Sequence, residues 1–209
     1  MNKPSANTIG NLFLARHGES TFNRDNRFTG WIDAPLTEKG CDEAKTIGRK
    51  LKGHSFDIAY TSRLNRAIES LRIVLEEMCL PGIEVIENGA LNERHYGDLQ
   101  GLNKEETALK FGKEQVRLWR RSYTTVPPNG ESLRDTANRV IPFFSSTIMN
   151  NIVQGKNILV LAHGNSLRAI VKEIEHLNDE EIMNVNIATG EVRQYSFDTS
   201  LSMFERKFL

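Results

Sequence analysis

The chain has two cysteines in 209 residues, six prolines and no surplus of charge. Cys41 and Cys79 have no metal-motif spacing and are too few for a disulfide framework. The expectation is a reducing compartment, with both thiols packed on helices. No apolar run approaches membrane-spanning length, and Met1 to Thr8 contains no signal-like apolar segment. A cytoplasmic location and no membrane partner are expected. Lys and Arg number 27, as do Asp and Glu. That balance disfavours a general polyanion binder, nucleic acid included, and requires any basic site to be a local cluster. No Pro/Gly/Ser-rich linker divides the sequence, and no low-complexity segment interrupts it. One domain over residues 1–209 is expected, with residues 1–10 as a flexible N-terminus.

What is present is organised around two similar stretches. Leu12-Phe13-Leu14-Ala15 is apolar on both parities, as a strand buried on both faces requires, and runs into Arg16-His17-Gly18-Glu19-Ser20. Ile158-Leu159-Val160-Leu161-Ala162 does the same and ends in His163-Gly164-Asn165-Ser166. Open α/β sheets bind ligands at the carboxyl ends of such strands, so two imidazoles there point to one site. Gly18 is expected to let backbone approach a ligand.

Between these stretches, strands and helices alternate. Residues 23–31 read as a loop. Thr37 caps a helix carrying Cys41, Ala44, Ile47 and Leu51 on one face. Residues 56–60 form a second strand, and Thr61-Ser62 are placed to cap a helix with an apolar stripe from Leu64 to Met78. Ile83 to Glu87 is a short strand, and the polar, glycine-punctuated 91–102 stretch is a functional loop. Helices follow near 103–111 and 113–121. Ser132 and Asp135 form a capping box for a helix that Pro142 should kink. Residues 192–197 alternate as an edge strand should. These elements predict an α/β fold, a three-layer α/β/α sandwich around a mostly parallel sheet.

The candidate constellation is Arg16, His17, Arg66, Glu93, Arg120, Arg121 and His163. Two histidines and a glutamate could ligate zinc, but fixed guanidinium charge beside a divalent cation is unfavourable, and no metal is expected. Guanidinium forks near helix starts suit a phosphate instead. Arg120 and Arg121 also suit a helix C-terminus, and Arg63 suits a surface ion pair. Given phosphate, a neutral imidazole can attack phosphorus, arginines can neutralise the equatorial oxygens, and a carboxyl can exchange the proton. Glu93 is the better carboxyl, because Glu19 beside His17 suits cap duty. His54 and His95 lack a comparable setting, and His176 sits at a helix end.

Arg16-His17-Gly18-Glu19-Ser20, Asn23, Phe28-Thr29-Gly30-Trp31, Leu91 to Gly97, Gly101 to Lys104, Trp119-Arg120-Arg121 and His163 to Arg168 occur in the same order as in a known family. Over roughly residues 12–200 the chain resembles the 2,3-bisphosphoglycerate-dependent phosphoglycerate mutases of the histidine phosphatase superfamily. The resemblance implies the phosphoglycerate mutase-like fold and interconversion of 3-phosphoglycerate and 2-phosphoglycerate, with 2,3-bisphosphoglycerate as the cofactor that primes His17. It implies that His17 is phosphorylated, Glu93 donates and accepts the proton, and His163 stabilises the transferring group. Arg16, Ser20, Asn23, Arg66, Gly164 and Asn165 would cradle that group. Thr29, Gly30, Arg94, Tyr96, Lys104, Arg120 and Arg121 would hold the rest of the glycerate. The alternative on the same residues is a phosphohistidine-type phosphatase or a bisphosphoglycerate mutase/phosphatase.

One departure stands out. Only residues 122–130 separate Arg121 from Glu131, where longer members carry an extra segment. The oligomeric state stays open, a homodimer being one arrangement. With few residues beyond the last strand to form a lid, some loss of phosphoryl to water is also expected.

Overall fold

The computed structural model describes residues 8–80, 82–198 and 203–209. Its centre is a six-stranded sheet in the order β3-β2-β4-β1-β5-β6. The strands are β1 (Thr8–Arg16), β2 (Ile58–Thr61), β3 (Glu84–Glu87), β4 (Ile158–Ala162), β5 (Val192–Asp198) and β6 (Met203–Phe208). β1, β4, β2 and β3 pair in parallel, whereas β5 runs antiparallel to β1, and β6 antiparallel to β5. Residues 8–10, expected in a flexible arm, begin β1; residues 1–7 of that arm lie outside the described residues.

The alternation of side chains across a strand divides the core in two. Leu12 and Leu14 pack with Tyr60, Ile158 and Val160 against one helical layer, which holds Val140, Ile148, Leu167 and Ile170. Phe13 and Ala15 face the other way, with Leu159 and Leu161, onto Ala44, Ile47, Leu51, Leu71 and Val74. Both faces of the central strands are therefore buried, as their unbroken apolar runs require. The helices supplying these layers are α2 (Glu38–Leu51) and α3 (Asn65–Glu77) on one side. On the other are α6 (Leu133–Phe143) and α8 (Gly164–Ile174). The short helix α1 (Thr21–Arg24) follows β1, and α4 (Lys104–Phe111) and α5 (Lys113–Arg121) lie beyond the β3 loop.

Local chemistry sets the boundaries. Thr37 caps α2 by accepting from the Gly40 N–H at 3.0 Å, and Ser132 and Asp135 form the reciprocal box that starts α6. Pro142 does not end its helix. The chain passes from α6 through a π turn (Phe144–Ile148) into α7 (Met149–Val153).

Four expectations are corrected. β5 is not an edge strand, because β6 pairs along its outer side and takes that place. The alternating pattern of β5 was misleading, since Val192, Arg193, Tyr195, Ser196 and Phe197 are all buried. Thr61 and Ser62 do not cap α3, whose N-cap Leu64 makes no side-chain cap bond. The loop after His17 begins later than expected, since Asn23 lies in α1. Cys79 is exposed just beyond α3 at φ +60°, whereas Cys41 packs half-buried against α2's core face.

Candidate active site

The parallel strands deliver their carboxyl ends to one edge of the sheet, where His17 follows β1, Ser62 follows β2 and His163 follows β4. The His17 N–H donates to the Ala162 carbonyl at 3.1 Å, tying the two His-Gly stretches together. The imidazole centroids lie 4.9 Å apart. Gly18 does serve a close approach, but to α2 rather than to a ligand. A Cβ there would stand 2.0 Å from the Gly40 carbonyl oxygen, and one on Gly40 would stand 2.0 Å from the Glu19 carbonyl oxygen. Glu19 is engaged by Thr37 and Lys39 at 2.9 Å each, a structural role outside the site.

His17 is 2% exposed, with Nδ1 2.6 Å from the Gly18 carbonyl oxygen. A carbonyl can only accept, so Nδ1 carries the hydrogen and Nε2 keeps its lone pair. Burial, then the charges of Arg66 and Arg16, hold its pKa well below the ordinary imidazole value, so the ring is neutral at neutral pH. His163 is neutral for the same reasons, burial first and Arg66 second. Its Nε2 lies 2.6 Å from Ser62 Oγ, which itself accepts from the Leu64 N–H at 3.2 Å.

Glu93 comes from the loop after β3 and is 7% exposed. Its Oε1 accepts from the backbone N–H groups of Arg94 at 2.8 Å and Asn165 at 3.1 Å. A Cβ on Gly164 would lie 3.6 Å from Arg16 Cζ and 3.7 Å from Glu93 Oε2, so the start of α8, Arg16 and Glu93 converge. Arg16 Nη1 donates to the Ile187 carbonyl at 2.6 Å. Arg66 is fixed by the carbonyls of Gly30 at 2.8 Å and Ile32 at 3.0 Å. Burial lowers its pKa to about 10.

A cleft opens at this edge, and most of the residues nominated from sequence line it. Arg16, Asn23, Thr29, Gly30, Glu93 and Tyr96 form one part, and Lys104, Arg120, Arg121, Gly164 and Asn165 another. His17, His163 and Arg66 are buried and are not among its lining residues. Arg94 is wholly buried, with Nη2 donating to the Tyr96 hydroxyl at 2.8 Å and the Arg120 carbonyl at 2.9 Å. Ser20 is also buried, its hydroxyl held 3.0 Å from Asn23 Oδ1 in the cap of α1. The Lys104 pKa falls to about 8, through burial first and then the charge of Arg120.

Four residues here had no site role assigned from the sequence, although Arg168 closes the matched His163 to Arg168 motif. Arg27, Arg168 and Asn186 line the cleft, and Ser62 orients His163. Arg168 is 3% exposed on α8, where Nη1 donates to Asn165 Oδ1 at 2.9 Å and Nη2 to the carbonyls of Arg121 and Ile182. Its signal was available, since it falls among the apolar positions Leu167, Ile170 and Val171 of a buried helix. Ser62 and Asn186 carry no local signal.

The site is thus strongly cationic although the whole chain is neutral: Arg16, Arg27, Lys104, Arg120, Arg121 and Arg168 line the cleft against the single carboxylate of Glu93. Several buried guanidinium donors have no acceptor among the described residues, namely Nε of Arg16, Arg66 and Arg168 and Nε and Nη1 of Arg94, and Nδ1 of His163 is a buried ring nitrogen likewise without a partner. Leaving a buried donor unpaired costs about 1–3 kcal/mol, which a polyvalent anion would offset. No group of three His, Cys, Asp or Glu side chains among the described residues is placed to hold a metal ion.

A buried neutral imidazole with a free Nε2, ringed by guanidiniums on a parallel-sheet edge, defines a class of phosphoryl-transfer proteins that use histidine. The family model described as the histidine phosphatase superfamily (branch 1) matches residues 12–206. Solved structures agree in fold. YhfR of Bacillus stearothermophilus aligns with a TM-score of 0.82 at 25% identity, covering 93% of this chain and 94% of that one. A putative alpha-ribazole-5'-P phosphatase of Escherichia coli aligns at 0.78 and 25%, covering 95% and 94%.

Relatives in sequence are nearer. The 2,3-bisphosphoglycerate-dependent phosphoglycerate mutase of Parvibaculum lavamentivorans is 50% identical over 95% of both chains. The phosphoglycerate mutase of Schizosaccharomyces pombe is 52% identical over 90% of both. The Treponema denticola mutase is 48% identical over 225 residues, covering 95% of this chain and 91% of its own. That span exceeds this chain's 209 residues, so the Treponema protein carries residues with no counterpart here. The chain belongs to branch 1 of the histidine phosphatase superfamily, and within it to the 2,3-bisphosphoglycerate-dependent phosphoglycerate mutases.

Proposed function

We propose that this protein interconverts 3-phosphoglycerate and 2-phosphoglycerate, with 2,3-bisphosphoglycerate as the primer and His17 as the phosphorylated residue. The supporting observation is the donor-only cluster around a neutral His17. The unpartnered nitrogens of Arg16, Arg66 and His163 suit the oxygens of a transferring phosphoryl group. Arg120, Arg121 and Lys104 supply a second cationic pole, which a doubly charged glycerate needs at its other end. Relatives at about 50% identity named as mutases favour this reading over a phosphatase.

When bound, the bisphosphate supplies the phosphoryl group that charges the enzyme. His17 Nε2 attacks that phosphorus, and Glu93 protonates the departing oxygen. In the reverse sense, Glu93 removes the proton from the glycerate hydroxyl as it attacks phospho-His17. Alternation of these two steps on the two hydroxyls moves the group between carbons. The Asn165 and Arg94 N–H groups hold one Glu93 oxygen and leave Oε2 for proton exchange. With its hydrogen on Nδ1, the one ring nitrogen without a protein partner, His163 donates to the equatorial oxygens.

The test is chemical trapping. Enzyme incubated with labelled 2,3-bisphosphoglycerate should acquire about one acid-labile, base-stable phosphoryl group per chain, located at His17 and absent in His17→Asn. Label at another residue, or none at all, would sink the reading. The phosphoenzyme's lifetime in buffer measures leakage to water, and persistence for hours would rule out an appreciable side phosphatase activity. Location in the cytoplasm fits this reaction. Among the described residues no helix is long and apolar enough to cross a membrane.

A further inference from the structure

Arg139 stands on α6 and does not line the cleft, yet all five of its guanidinium hydrogens are used. Nη1 donates to the carbonyls of Ala90 at 2.7 Å and Asn92 at 2.9 Å. Nη2 donates to the carbonyl of Glu93 at 2.9 Å and to Glu131 Oε2 at 3.0 Å, and Nε donates to Glu131 Oε1 at 3.1 Å. Glu131 Oε2 also accepts from the His95 N–H at 2.9 Å, so the pair grips both sides of Glu93. Burial pushes the Glu131 carboxyl up, but its bonds from Arg139 and His95 outweigh this and hold its pKa below the ordinary value. Trp31 Nε1 reaches the same Glu93 carbonyl at 2.5 Å, with the Arg139 Cζ 5.7 Å from its ring.

We propose that Arg139, braced by Glu131, is a positioning residue for Glu93: it fixes the backbone of residues 90–95 so that the Glu93 carboxyl meets the reacting oxygen. The proposal rests on the reading of Glu93 as proton donor and acceptor. Three of the five donors end on carbonyls at or within three residues of Glu93, and the other two end on the carboxylate that holds His95. Side-chain rotation alone cannot move Glu93 far, because the Arg94 and Asn165 N–H groups hold Oε1. The height of the loop is what remains to be set, and Arg139 sets it. A planar fork does this where a point charge cannot, so lysine is a poor substitute despite its charge.

The experiment uses the full chain with Arg139→Lys and Glu131→Gln, and Glu93→Gln as the reference variant. Two rates are read per active site: mutase turnover on 3-phosphoglycerate, and the burst of p-nitrophenolate as p-nitrophenyl phosphate phosphorylates His17. The burst amplitude counts competent sites, so partial misfolding drops out. The aryl oxygen leaves as a stable anion without a proton, so its departure does not need Glu93. Arg139→Lys should lower mutase kcat about 100-fold with KM within roughly 3-fold, and leave the burst rate unchanged. Glu131→Gln should show the same selectivity at about 10-fold. Equal loss of both rates, no loss of either, or disappearance of the burst in both variants would overturn the positioning role. If Glu93→Gln itself lowers both rates equally, the reading of Glu93 is what fails.

Discussion

The paired arginines at the end of α5 give the sharpest separation between a mutase and a plain phosphatase. Their backbones and side chains are decoupled: the Arg120 carbonyl accepts from buried Arg94, and the Arg121 carbonyl from buried Arg168. Truncating both side chains to alanine therefore leaves those braces intact. What is lost is local. The Arg121 side chain gives up one 3.3 Å bond to the Val185 carbonyl and one of 3.2 Å to Asn186, and the cleft loses two of its six lining cations. A hydrogen bond to a charged group contributes about 1.5–3 kcal/mol, so losing two anionic contacts should cost about 3–6 kcal/mol in transition-state binding. At 1.36 kcal/mol per factor of ten, mutase kcat/KM should fall about 10²- to 10⁴-fold in Arg120→Ala/Arg121→Ala. The burst with p-nitrophenyl phosphate, which carries no second anion, should change by less than about 3-fold. The assay is the pair of rates on one preparation, with burst amplitude as the count of sites. Equal loss on both substrates would refute the assignment of these arginines to a distal anion.

Other consequences follow from burial. His17 and His163 are held neutral well below the ordinary value of 6.5, so the unfolded chain binds more protons between the folded pKa values and 6.5. Stability is then full above about pH 6.5 and is lost as pH falls through the folded values. The urea midpoint should drop on acidification from about pH 7 to about pH 5, less steeply in His17→Asn, and an identical slope in that variant would contradict the shift. Lys104, with its pKa near 8, loses its charge as pH rises. The KM for 3-phosphoglycerate should climb above about pH 8 and stay flatter in Lys104→Arg, which remains charged; parallel profiles would argue against a charged contact. Gly18→Ala would drive a methyl to 2.0 Å from the Gly40 carbonyl oxygen, so α2 and the His17 strand end must part. A loss of about 3 kcal/mol in stability, with lower activity, is expected, and an unchanged urea midpoint would show that the contact is soft.

The parts of the molecule legible in the sequence are those with a period or a terminus. β4, α2 and α6 were readable because apolar runs, stripes and caps are local properties. The residues around His17 and His163 were readable because chemistry-bearing side chains sat where strands must end. The failures are tertiary. β5 alternates like an edge strand, and only β6 arriving on its outer side reveals its burial. Gly18 looks like a glycine kept small for a ligand, and only α2 crossing against it shows otherwise. Ser62 was read as a cap because nothing nearby in sequence announces His163, 101 residues away. Arg139 was passed over for the same reason: its acceptors at 90, 92 and 93 lie 46 to 49 residues earlier. Single charged residues on helices signal little until the surface they face is known.

The most direct test is conversion of 3-phosphoglycerate to 2-phosphoglycerate by chelator-treated enzyme, with and without catalytic 2,3-bisphosphoglycerate. A phosphohistidine mutase built on His17 should be strongly activated by the bisphosphate and indifferent to the chelator. Activity abolished by the chelator would return the two histidines to a metal, and phosphate release without isomerisation would leave a phosphatase.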